Sequence, residues 1–169
     1  MFKKLLGSIK DAINPPRVLV NQPIYNQPSS YEAGNQNPNE IKLSQPAPSG
    51  LPKKFDEYVK VMGTSINPAK KHAKAFALGN NQSLVLEKDP LNEYDKNAIR
   101  IIGLWVDHSG SHREQIGWVP KEISMEIARM IPGEPIGATV KSIFLPKDDK
   151  NAGFRIDIWC RRGLPTLRD

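Results

Sequence analysis

The residues of this chain that are best suited to chemistry are concentrated between positions 89 and 97. This stretch reads Asp-Pro-Leu-Asn-Glu-Tyr-Asp-Lys-Asn and brings carboxylates, amides and a tyrosine together. Carboxylates can hold a divalent metal ion, carboxylate and amide oxygens accept hydrogen bonds from hydroxyl groups, and a tyrosine ring can stack on a flat ligand. The same side chains also shape tight turns by bonding their own backbone, so a purely structural role stays open, most of all for Asp89 and Asn97.

A metal-dependent reaction would need several acidic side chains in one place. The candidates for a magnesium site are Asp89, Glu93, Asp95, Asp107 and Glu114. Their spacing matches no nuclease pattern, and acidic residues in the turns of a basic domain are usually solvated. The histidines His72, His108 and His112 accompany no nucleophile motif, and a single cysteine provides no zinc-ligand cluster. We therefore expect no enzyme activity, no metal and no cofactor, with a metal-dependent hydrolase acting on nucleic acid as the minor alternative.

Basic and aromatic side chains indicate a binding function. The formal net charge of +6 is an excess that attracts phosphate backbones or anionic lipid. A protein that binds single strands needs cations for the phosphates and flat rings for the bases. The basic candidates are Lys70, Lys71, Lys74, Arg100 and Lys121, and the aromatic candidates are Tyr94, Trp118 and Phe154. The alternative interpretation of the lysine run at 70–74 is an ordinary solvated face.

The elements that position these residues are predicted by hydrophobic patterning. Strands are expected at residues 58–62, 83–88, 98–106, 115–119, 136–144 and 153–159. Residues 120–131 carry apolar side chains on one helical stripe, which predicts a helix packed on the sheet. Residues 65–77 predict a turn that leads into one or two helical turns with a basic face. About six strands, short turns and one packed helix predict a mainly β fold, a small OB-like or SH3-like barrel.

The first 52 residues differ in composition from the rest of the chain. Residues 1–14 place apolar side chains at helical spacing, with lysines mostly off that stripe, which predicts a short amphipathic helix. Residues 15–52 are dense in Asn, Gln, Ser and Pro, which predicts a flexible, disordered linker. The globular domain is then expected over residues 53–162, followed by a C-terminal tail at 163–169.

The amphipathic helix allows a second class of function, that of an adaptor. It can dock on a protein partner, pack back on the barrel or lie on a membrane surface. Partner docking or packing is favoured, because so short a stripe buries little area in a membrane. Lys10 and Asp11 interrupt any signal-peptide core, and no apolar window is long enough to span a bilayer, so we expect a cytoplasmic protein.

Three motifs follow one another along the predicted domain. The first is Val-Lys-Val-Met-Gly-Thr at 59–64, and the second is the strand, turn and strand of 84–100, with Asp-Pro-x-Asn-x-Tyr-Asp-x-Asn-Ala-Ile at its centre. The third is Gln-Ile-Gly-Trp-Val-Pro-Lys-Glu-Ile at 115–123. Together they resemble the HIRAN family, which occurs as a stand-alone bacterial domain and as the amino-terminal module of fork-remodelling, helicase-like enzymes. The resemblance covers residues 55–159.

This resemblance implies an OB-like barrel that binds single-stranded DNA without catalysis and holds a free 3′ end in a pocket, with a role in DNA repair or replication-fork processing. The positions that it implies are Asn92, Tyr94 and Asp95 around the pocket, Lys121 at a phosphate and Phe154 stacked on a base. The Asp95 carboxylate can accept a hydrogen bond from a terminal ribose hydroxyl, a contact available only at a strand end.

This chain has Ser-Ile-Asn at 65–67, where some relatives carry an aromatic pair, and this predicts weaker stacking on that side. Stacking and phosphate contacts serve DNA and RNA alike, so the residues leave that choice open.

Overall fold

The computed structural model of the chain describes residues 38–145 and 150–162. The predicted amphipathic helix, the linker up to residue 37 and the tail from residue 163 lie outside the described residues. The described elements are, in chain order, β1 (Glu40–Lys42), β2 (Lys53–Lys60), α1 (Ala69–Leu78), β3 (Asn80–Lys88), β4 (Ile99–Asp107), β5 (Gly110–Trp118), α2 (Lys121–Met130), β6 (Ile136–Phe144) and β7 (Gly153–Cys160). Within the described residues, neither helix has the length and apolar character needed to cross a membrane.

The strands form one antiparallel sheet in the order β2-β7-β6-β3-β4-β5, and β1 pairs with β6 beside this path. The two ends of the order meet where Met62, just after β2, forms a bridge with Trp118 at the end of β5. Each of the two residues donates its backbone N–H to the carbonyl of the other, and both N···O distances are 2.9 Å. The prediction of a mainly β fold is confirmed, and this contact between edge strands is consistent with the predicted barrel.

The core lies between the sheet and the two helices. Phe76 of α1 is fully buried and packs edge-on against Trp105, with 5.9 Å between ring centroids. Gly103 on β4 makes this possible, since a β-carbon there would lie 2.7 Å from the Phe76 ring. On α2, Ile127 is buried, and Ile123 and Met130 are partly buried against the same core, as the predicted stripe requires.

Helix α1 is longer than predicted. It runs for 10 residues, where one or two turns were expected, and its buried residues are Ala69, Ala73, Phe76 and Ala77. Small alanines let the helix lie close to β4 and β5, and they also favour the helix by their own propensity. The structure therefore has two packed helices where one was predicted.

Residues 38–52 correct the predicted boundary of the linker. Instead of being free, they lie on the sheet, with β1 paired to β6 and Leu51 buried against Gly137. Strands β3 and β6 are paired only at Leu84 and Ala138. The Gln45 side chain fills the gap beside that contact, because its Oε1 accepts the Val140 N–H at 2.8 Å and its Nε2 donates to a β3 carbonyl at 2.8 Å. The polar composition of this segment predicts a linker. Composition does not show the hydrogen bonds that its backbone and amide groups make with the sheet.

Candidate nucleic-acid interface

The connection between β3 and β4 is held together by its own polar side chains. Asn92 Oδ1 accepts the backbone N–H groups of Tyr94 and Asp95, each at 3.0 Å. Asp95 Oδ1 accepts the Asn97 N–H at 2.9 Å, and the Ala98 N–H donates to the Asp95 carbonyl at 3.0 Å. The structural role that the sequence left open for these residues is therefore present, and it fixes the turn in one shape.

The result of this bracing is that Tyr94 projects from the turn. Its side chain is 91% exposed, although both its own N–H and the next one are bonded to Asn92. A ring carried on a fixed backbone loses less entropy on binding than one on a loose loop. Tyr94 is therefore a preorganised flat surface rather than part of the core.

Four outward-facing residues form a row beside this turn, which we call the Trp118 row. Glu87 lies opposite Arg100, Arg100 lies opposite Trp118, and Trp118 bridges to Met62. Residues directly opposite one another in a sheet point to the same face. The row therefore places a cation and an indole at the end of the sheet from which the turn emerges.

Trp118 packs on the backbone of the first motif. A β-carbon at Gly63 would lie 2.9 Å from Trp118 Cδ1, and Gly63 has a φ of +75°, so two independent reasons require glycine there. The Trp118 side chain itself is half-buried. Ile66, in the segment where some relatives carry an aromatic pair, is 67% exposed.

Arg100 belongs to a cluster of charges that includes a residue missed in the sequence. Its Nη2 lies 3.4 Å from Glu87 Oε2, while Arg113 of β5 binds the other oxygen of the same carboxylate. Two guanidinium groups thus share one carboxylate, which leaves a positive surplus on this face. Arg113 is spaced like any exposed strand residue, and its contact with Glu87 is made across the paired strands β3, β4 and β5, which the sequence does not show.

The predicted lysines lie on the two helices. Lys70, Lys71 and Lys74 are exposed on the solvent side of α1, whose other side packs on β4 and β5. Helix α1 begins close to Gly63, because Ile66 donates its N–H to the Gly63 carbonyl and Lys70 donates to the Ile66 carbonyl. Lys121 is the exposed first residue of α2. It follows Val119, whose N–H donates to the carbonyl of Ile99 at 3.0 Å, so Lys121 lies near the start of β4.

The position of Phe154 corrects one predicted contact. The side chain is 2% exposed and packs edge-on against Phe76, with 5.5 Å between ring centroids. On β7 the alternate residues Phe154, Ile156 and Ile158 point into the core. Phe154 therefore has no free face for a base, and stacking at this position is not supported.

The acidic and histidine side chains that the structure describes do not gather into a metal site. Within the described ranges, no group of three or more His, Cys, Asp or Glu residues is placed to hold an ion. Asp107, Ser109 and His112 do meet at the hairpin between β4 and β5, but both Ser109 Oγ and His112 Nε2 bond the same Asp107 oxygen, at 2.6 and 2.9 Å. The hydrogen bonds from Ser109 and then His112 lower the pKa of Asp107. This arrangement fixes the hairpin turn.

Comparison with known proteins agrees with this geometry. The family model of the HIRAN domain matches residues 55–161, well over half of the chain. No curated protein and no solved structure matches the chain. The match spans all three sequence motifs together with the turn, the Trp118 row and both helices, so the predicted resemblance is confirmed. The chain belongs to the HIRAN domain family, a family associated with the binding of DNA or other nucleic acid.

Proposed function

We propose that this domain binds the 3′ end of single-stranded DNA and catalyses no reaction on it. Tyr94 and Trp118 receive the bases, and Lys121, Arg100 and Arg113 contact the phosphates. Lys70, Lys71 and Lys74 extend the positive potential along α1. The observation that carries the proposal is the 91% exposure of Tyr94 on a turn braced by side-chain hydrogen bonds.

The hydrogen bonds that brace the turn support a role in binding. They hold the backbone of Tyr94 in place, although the ring of Tyr94 does not pack into the core. Leu91 in the same turn is also highly exposed, at 88%, so the turn as a whole stands out from the core. An aromatic ring in this position can stack on any base, because every base has a π face. Stacking on aromatic rings tolerates different sequences, which suits an end-binding module.

The end preference rests on Asp95. One of its carboxylate oxygens accepts the Asn97 N–H, and a carboxylate has acceptor capacity on its other oxygen. That oxygen can accept a hydrogen bond from a terminal 3′ hydroxyl, while a terminal phosphate would meet a like charge. The proposal therefore favours a free 3′ hydroxyl over a phosphorylated end.

Substitution of Tyr94 tests the observation on which the proposal rests. Each base stacked on an aromatic ring is worth about 1–3 kcal/mol, so Tyr94→Ala should weaken binding of a single-stranded oligonucleotide by roughly 5- to 150-fold. Leu91→Ala is the matched control, because it removes a comparably exposed apolar side chain from the same turn. Fluorescence anisotropy measures both. Equal affinities for the two variants would remove Tyr94 from the binding surface.

The absence of catalysis is tested separately. We expect labelled single-stranded and duplex DNA to stay intact during incubation with the protein and either magnesium or manganese. Cleavage that follows the protein through purification and disappears with a chelator would contradict a purely binding function.

A further inference from the structure

The outer face of β1, β6, β7 and β2 carries a row of cations. Lys42 lies opposite Ser142, Ser142 lies opposite Arg155, and Arg155 lies opposite Lys60. Opposite residues share a face, and neighbouring strands lie about 4.8 Å apart, so Arg155 and Lys60 are direct neighbours. All three cations are exposed. We call Lys42, Arg155 and Lys60 the basic row.

Within the basic row, the placement of Arg155 directly opposite Lys60 is unfavourable in the free protein. Like charges directly opposite one another destabilise a sheet. In residues 38–145 and 150–162, none of the three cations forms an ion pair with a carboxylate. Aspartate and glutamate occur elsewhere on β2 and β7. The register of the two strands nevertheless places Lys60, and not a carboxylate, opposite Arg155. A bound polyanion would offset the repulsion.

Three aromatic rings lie on the same face, each with a cation beside it. Lys141 Nζ lies 5.0 Å from the centroid of the Tyr58 ring, and Lys54 Nζ lies 5.3 Å from that of Trp159. The Arg155 guanidinium lies 5.2 Å from the centroid of the Phe144 ring. Rings interleaved with cations are the ingredients of a surface that binds single strands.

A buried carboxylate holds this face in shape. Asp157 is 4% exposed, although it alternates with the core residues of β7 and so lies on the outer side. Its Oδ1 accepts the backbone N–H of Tyr58 at 3.1 Å, and its Oδ2 lies 3.3 Å from Lys54 Nζ and 4.0 Å from Lys141 Nζ. Asp157 thus anchors the Tyr58 backbone and lies beside two cations, of which Lys54 is also paired with Glu57 at 3.1 Å.

Tyr58 is held in an uncommon backbone conformation. Its φ is +58°, within a register shift between Asp56 and Val59, and its side chain is 52% exposed. Positive φ is rare for a bulky side chain, and such strain tends to occur at functional positions. The fold therefore maintains a strained tyrosine on the surface, where core packing does not require it.

The basic row continues into the Trp118 row. Lys60 is separated from Met62 only by the inward-facing Val61, and Met62 bridges to Trp118. The outer surface therefore continues from Arg155 and Lys60 to Met62 and Trp118, where the two ends of the strand order meet.

We infer that the basic row and its aromatic rings form a second contact surface for single-stranded DNA, which takes the nucleotides that follow the end bound at Tyr94. The order of the two contacts rests on the proposed function, whereas the affinity of the second surface for a strand does not.

Strands of two lengths test this inference. An OB-type fold covers about 4–16 nucleotides, so we compare strands of about 4 and about 12 nucleotides. Lys60→Ala with Arg155→Ala should weaken binding of the longer strand by at least about tenfold and leave the shorter one unchanged. The salt slope of the longer strand should fall by roughly 1.4, or about 0.7 for each lost phosphate contact. Lys53→Ala with Arg129→Ala, which removes the same charge from exposed positions elsewhere, should change neither.

A second variant separates binding from stability. Tyr58→Gly removes the ring and relieves the positive φ, so the midpoint of thermal unfolding should stay the same or rise while affinity for the longer strand falls. Unchanged affinity and salt slope in both Lys60→Ala with Arg155→Ala and Tyr58→Gly would overturn the inference. Competition by poly-glutamate as strong as that by an oligonucleotide of equal charge would also overturn it, because the rings would then contribute nothing.

Failure of the inference can be told apart from failure of the proposed function. If only the second surface is wrong, Tyr94→Ala still weakens both lengths and Lys60→Ala with Arg155→Ala weakens neither. If only the end-binding site is wrong, Lys60→Ala with Arg155→Ala still weakens the longer strand, whether or not its 3′ end is blocked.

Discussion

At the scale of single residues, the candidate site separates two tasks that one side chain often combines. Asn92 uses its carbonyl oxygen to fix the turn, and Tyr94 is left free to meet a ligand. Asp95 takes part in both tasks, with one oxygen on the Asn97 N–H and acceptor capacity on the other. Its charge can therefore be removed without removing the bond that shapes the turn.

Asp95→Asn makes use of this separation. The amide oxygen can still accept the Asn97 N–H, so the fold should be kept, while the negative charge near the bound end is lost. The preference for a 3′ hydroxyl over a 3′ phosphate should fall by several-fold, mainly because the phosphorylated strand binds better. Titration of both strands with the wild type and the variant measures this. A preference that stays unchanged would show that Asp95 serves only the turn.

At the scale of elements, the sequence predicted regular strands and the motif turn better than the contacts made by irregular segments. The strands at 83–88, 98–106, 136–144 and 153–159 have β-branched or aromatic runs, and each is present in the structure within a few residues. Strand β5 extends back to Gly110, before the predicted start at residue 115. The prediction missed this first half because its residues are polar. Pairing with β4 holds it in the sheet. Strand β1 was missed for a similar reason, since Asn, Gln and Pro around it suggest disorder.

Gln45 shows how such a segment is anchored, and its removal gives a stability prediction. Gln45→Ala leaves the N–H of Val140, a buried residue, without its acceptor, which costs about 1–3 kcal/mol of unfolding free energy. Urea denaturation measures the loss, and Ser44→Ala, at an exposed neighbouring position, should cost little. A Gln45→Ala variant as stable as the wild type would mean that the Gln45 side chain adds nothing to the stability of the fold.

At the scale of the whole molecule, the sequence predicted the parts of the candidate site whose contacts depend on residue identity. It missed the parts whose contacts depend on how the strands are paired. The stretch at 89–97 is distinctive by its residues alone, and the structure gives it the predicted turn. Arg113 and the basic row depend on which residues face one another across strands, which spacing along the chain does not reveal. Phe154 was assigned to a base because the resemblance implied an aromatic stacking residue there, yet strand alternation turns the side chain into the core.

The central claim is that the domain binds a free 3′ end of single-stranded DNA. The most direct measurement compares, by anisotropy at one fixed salt concentration, a single strand ending in a 3′ hydroxyl, the same strand with a 3′ phosphate, the matching RNA and a blunt duplex. We predict the tightest binding for the first strand, weaker binding for its phosphorylated form and the weakest for the duplex, with the RNA showing whether a 2′ hydroxyl is tolerated. Equal affinity for the free end, the blocked end and the duplex, or no binding to any of them, would contradict the account.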